Sequence, residues 1–89
     1  MTKEEKETLS LVVSDLLTGN HLLGRKRSDE HRSLMWEFCS TCIKVDEEKE
    51  LTDREKELFT EMGNMFYDGI PDMCVQLAID YDKLKKALA

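Results

Sequence analysis

Apolar residues in this chain recur every three or four positions and show no alternation with period two. Leu9, Val12, Val13, Leu16 and Leu17 share one face at helical spacing. Thr2 can cap that segment, Glu5 completes a capping box, and Gly19-Asn20 offers a left-handed stop. The spacing predicts a helix over 3–18. A connector follows from His21 to Arg27, in which Gly24 breaks any helix and Leu22 and Leu23 are apolar enough to reach a core. Ser28 is the next N-cap. Asp29 and Glu30 follow in a first turn, where the helix dipole favours anions.

The second predicted helix spans 29–47. At roughly 100° per residue, His31, Leu34, Phe38, Cys42 and Val45 form one line. Met35 and Cys39 flank that line. Trp36 and Ile43 widen the arc, and Glu37, Ser40, Thr41 and Lys44 take the polar remainder. Thr52 and Glu55 form another capping box before a third helix over 53–67, with Leu58, Phe59, Met62, Met65 and Phe66 as its stripe. Gly69 stops it, Pro71 biases Ile70 toward an extended shape, and Pro71 suits the first position of a fourth helix. That helix is expected over 71–88. It aligns Met73, Leu77, Tyr81, Leu84 and Leu88, with Cys74 and Ala78 at the edge and Lys83, Lys85 and Lys86 in its last turns. The expectation is an all-α, compact single-domain bundle of about four helices covering 1–89, with short connections between antiparallel neighbours.

Composition narrows the function. A chain of 89 residues makes one small domain with a modest core. A net charge of −6 argues against direct nucleic-acid binding and against anionic membrane surfaces. No apolar run nears the roughly 18 residues of a membrane span. The opening MTKEEKE lacks the apolar centre of an export signal. Three cysteines, an odd number, read as free thiols in a reducing compartment, so a cytoplasmic location is expected.

Cys39 and Cys42 stand three apart and could share a helix face as metal ligands, with Cys74 and His31 completing a zinc set. No glycine or proline bends the chain there into a knuckle, and neither a strand nor a helix N-terminus precedes the pair to activate a thiol. Packing is the preferred reading, and no metal or cofactor is expected. His31 reads as a partly buried, hydrogen-bonded residue, and His21 has no evident partner. Arg25, Lys26, Arg27 and Arg32 gather near a helix N-terminus and form an anion-binding alternative, which Asp29 and Glu30 partly neutralise.

Residues 46–57 hold seven acids and three bases, usually the mark of a solvated face with pairs such as Glu50–Arg54. The sharper reading is a carboxylate surface of Asp46, Glu47, Glu48, Glu50, Asp53 and Glu57. Such a surface could inhibit a nucleic-acid-processing enzyme by imitating phosphate charge. No nucleophile, base and orienting group stand at an interpretable spacing, so no enzyme is expected. What remains is apolar surplus: Trp36 and Ile43 on one helix shoulder, Val75 and Ile79 on another, and Leu11 alone. The leading expectation is therefore a small regulatory or inhibitory module that binds another protein through these residues and pairs with itself.

Overall fold

The computed structural model describes residues 1–19 and 26–89. Asn20, His21, Leu22, Leu23, Gly24 and Arg25, with the readings placed on them, lie outside the described residues. The described residues form five helices and no strand. These are α1 (Lys3–Thr18), α2 (Asp29–Asp46), α3 (Asp53–Gly63), α4 (Ile70–Leu77) and α5 (Tyr81–Leu88). The radius of gyration is 12.4 Å, close to the roughly 12 Å expected for a folded domain of this length.

Side-chain caps start four of the five helices. Glu5 N–H donates to Thr2 Oγ1 at 3.1 Å, and Thr2 N–H donates back to Glu5 Oε1. Thr52 and Glu55 repeat the reciprocal box at α3. Ser28 accepts from His31 N–H, and Asp80 accepts from Lys83 N–H. The left-handed Gly19 ends α1 (φ 72°), and Gly69 (φ 74°) with Pro71 sets up α4.

One core joins all five helices. Leu9, Val12 and Val13 of α1 meet Leu34, Phe38 and Val45 of α2, Leu58, Phe59 and Met62 of α3, Met73 and Cys74 of α4, and Leu84 of α5. The rings of Phe38 and Phe59 pack at its centre, 5.7 Å apart and tilted by 58°.

Three details depart from the sequence reading. First, α3 ends at Gly63 rather than near residue 67. Tight turns then carry Phe66 back into the core, with Phe66 N–H donating to Gly63 O. Gly63 is needed there because a Cβ would stand 2.5 Å from Ile70 Cγ1. Second, the fourth helix divides into two. Ala78 takes a left-handed conformation (φ 55°, ψ 46°), and Ile79 N–H donates back to Cys74 O. Asp80 then caps α5. The division leaves Tyr81 mostly outside the core.

Third, the buried line of α2 keeps His31, Leu34, Phe38 and Val45 as expected but takes Thr41 in place of Cys42. Thr41 is fully buried, whereas Cys42 is only half-buried and Cys39 is exposed. Thr41 tolerates burial because its hydroxyl donates to Glu37 O at 2.7 Å and reaches Glu55 Oε2 at 3.2 Å. Cys74, expected at an edge, is buried.

Candidate interaction surface

Many of the charged side chains singled out in the sequence are engaged inside the fold. Asp15 of α1 is buried and accepts two hydrogen bonds from Arg27, at 2.7 and 2.8 Å. His31 Nε2 lies 2.9 Å from the same carboxylate. The Arg27 guanidinium holds the Asp15 carboxyl below its ordinary range. Arg32 pairs with Asp29 on its own helix. Arg27 and Arg32 therefore do not converge on an open anion site. Lys26 is exposed, and Arg25 lies outside the described residues.

The acidic run is likewise partly committed. Arg54 does not pair with Glu50. It bridges Glu37 of α2 at 2.8 Å and Glu5 of α1 at 2.9 Å, tying three helices together. Glu55 accepts from Lys44 Nζ at 2.9 Å while closing its capping box. The ammonium of Lys44, then the Thr52 backbone amide, hold the Glu55 carboxyl down to about 2. Glu57 pairs with the amino group of Met1, Glu47 with Lys49, and Asp46 lies 3.6 Å from Lys83. Glu48, Glu50 and Asp53 are exposed. The stretch is thus laced with cations rather than being an open carboxylate array.

The cysteines do not gather a metal set. Among the described residues, no three side chains of His, Cys, Asp or Glu are grouped so as to hold an ion. The zinc alternative on Cys39, Cys42, Cys74 and His31 lacks its geometry, because His31 turns to Asp15. Burial, with smaller contributions from the neighbouring Cys39 and Cys74 thiols, pushes Cys42 up to about 12. Burial also raises Cys74. Neither is poised as a thiolate nucleophile.

The apolar surplus lies on the outside. Trp36 is 75 % exposed and Ile43 60 % exposed; both lie on the face of α2 opposite Thr41 and Val45. Exposed Cys39 lies between them on the same face, at i+3 from Trp36. On α4, Val75 is 82 % exposed. Ile79, one turn further on, is half-buried against the core. Ile43 and Ile79 meet in a recess of about 280 Å³, also lined by Cys42, Val45 and Ala78, with Asp46, Glu47 and Asp80 at its rim. Leu11, exposed on α1, lines no part of this recess.

The chain has no match among family models, curated proteins or solved structures. No described helix is long and apolar enough to cross a membrane.

Two features of this surface escaped the sequence reading. Ala78 was expected mid-helix; its left-handed turn instead opens the wall of the recess. Asp80 was readable as an N-cap, since an Asp followed by Asp82 resembles other helix starts in this chain.

Proposed function

We propose that this protein is a helical interaction module that binds another protein through the outer face of α2. Trp36 and Ile43 are its anchors, Ile79 continues the surface at the α4–α5 joint, and Val75 stands exposed on α4. The supporting observation is the chain's single tryptophan standing three-quarters exposed, two turns from an exposed isoleucine on the same helix face. Over seven residues of helix the two lie about 10 Å apart along the axis, a span that a partner helix or strand can cover. Aromatic anchors of this kind dominate many protein interfaces. The core does not need them, because His31, Leu34, Phe38, Thr41 and Val45 already fill the inner face of α2.

Two further points shape the reading. Self-pairing would bring two chains of charge −6 together, so a different chain is the favoured partner over a second copy. Within the phosphate-imitating set, Glu57 is paired with the amino group of Met1, which removes one carboxylate from that surface. The test is affinity capture from the source cell with wild type, Trp36→Ser/Ile43→Ser and Leu11→Ser. Wild type and Leu11→Ser should recover the same protein and the double variant should lose it. Equal recovery by all three would refute the assignment.

A further inference from the structure

We propose that the recess between the end of α2 and the α4–α5 joint receives an apolar side chain from a basic helical segment of the partner. This rests on the reading of the outer face of α2 as a docking surface and names the chemistry of what docks there. At about 280 Å³ the recess falls just below the ~300–1,000 Å³ usual for small-molecule sites, which suits a protruding side chain better than a cofactor. Its walls are apolar, built from Cys42, Ile43, Val45, Ala78 and Ile79.

The charge around the recess selects the partner. Asp46, Glu47 and Asp80 stand at its mouth. Two helix C-termini also end there: α2 closes at Asp46 and α4 at Leu77, and α4 has no basic residue in its last turn. The last carbonyls of a helix carry a partial negative charge; at α2 Lys44 and Lys83, whose Nζ donates to Asp46 O at 3.0 Å, already answer it, so the uncompensated end is that of α4. The N-terminus of α5 meets the same region, but Asp80 and Asp82 offset its positive end. Asp80 is engaged as the cap of α5, whereas Asp46 and Glu47 are only loosely held. Asp46 is 82 % exposed with Lys83 at 3.6 Å, and the Glu47–Lys49 pair is exposed on both sides. Exposed pairs like these are weak and exchange partners readily. A helix presenting Leu or Ile in the recess would place Lys or Arg three and four residues to either side, against this rim.

The test uses the isotope-labelled protein and two synthetic 18-residue amphipathic peptides with the same leucine face. One carries lysine on its polar face and the other glutamate. The lysine peptide should shift the amide resonances of residues 42–47 and 78–80, and its binding should fall as salt rises. Asp46→Asn/Glu47→Gln, checked for unchanged thermal unfolding, should weaken it roughly three- to tenfold, as the loss of two rim charges implies. Failure of the lysine peptide to bind, or shifts confined to other surfaces, would overturn the proposal. Equal binding of both peptides at the recess would also overturn it, while leaving the α2 docking surface standing. That surface is judged separately by the Trp36→Ser/Ile43→Ser capture.

Discussion

Trp36→Ala should cost this protein little stability, although it removes the largest side chain in the sequence. A fully interior tryptophan hides roughly 150–250 Å². Trp36 keeps 75 % of its surface in water, so folding hides only about 60 Å² of it. At ~25 cal/mol per Å² that is a ceiling of about 1.5 kcal/mol. Compactness of the unfolded chain lowers it further, and the better helix propensity of alanine offsets about 0.5 kcal/mol. The net loss should stay below ~1 kcal/mol, which for a domain of this size moves Tm by less than about 6 °C. Phe59→Ala is the contrast. Phe59 is 0 % exposed at the centre of the core, and its truncation should cost about 3–5 kcal/mol. Urea unfolding followed by helical circular dichroism measures both, since the substitution removes the only tryptophan as a fluorescence probe. A loss above ~2 kcal/mol for Trp36→Ala would mean that the indole supports the fold, and the case for a free anchor would fail.

Other outcomes follow from the same packing and charge arguments. The Glu55 carboxyl is held at about 2, below its ordinary 4.5, so its stabilisation is fully present above pH 4.5 and is lost as pH falls toward 2. Urea midpoints at pH 6 and pH 3 should show Glu55→Gln losing about 1–2 kcal/mol less than wild type across that interval, after allowance for partial solvent screening. Gly63→Ala should destabilise by about 1–2 kcal/mol, because the new methyl group would meet Ile70 Cγ1; an unchanged Tm would show that Ile70 gives way freely. Of the three thiols, exposed Cys39 should react first with a disulfide reagent at neutral pH, with half-buried Cys42 and buried Cys74 far slower; three equal rates would contradict the burial of Cys42 and Cys74.

The all-α architecture was legible because its signals were local. Thr2 with Glu5, Thr52 with Glu55, and Ser28 each carry their own cap, and the stripe of α1 and α3 reads directly from spacing. What escaped depends on residues far apart in sequence. Asp15 is buried because Arg27, twelve positions on, reaches back to it. Arg54 prefers Glu5 and Glu37 on other helices to the nearby Glu50. Thr41 passes for a surface residue until its hydroxyl finds Glu37 O, and it takes the fully buried place expected of Cys42, which is left half-buried. The division at Ala78 carries no glycine or proline to announce it. The outer surface was readable in part. Trp36, Ile43 and Val75 were singled out and lie exposed, but the recess beside them exists only because α4 stops where it does.

The central claim is that the Trp36 face of α2 meets another chain. Photo-cross-linking in the cell tests it most directly, with a benzophenone side chain placed at position 36 in one variant and at position 11 in a control. Position 36 should give one predominant adduct to a different protein whose cross-linked segment is rich in lysine or arginine, and position 11 should give none. The claim is contradicted if position 36 yields no adduct, if position 11 yields the same one, or if the only product has twice the mass of this chain.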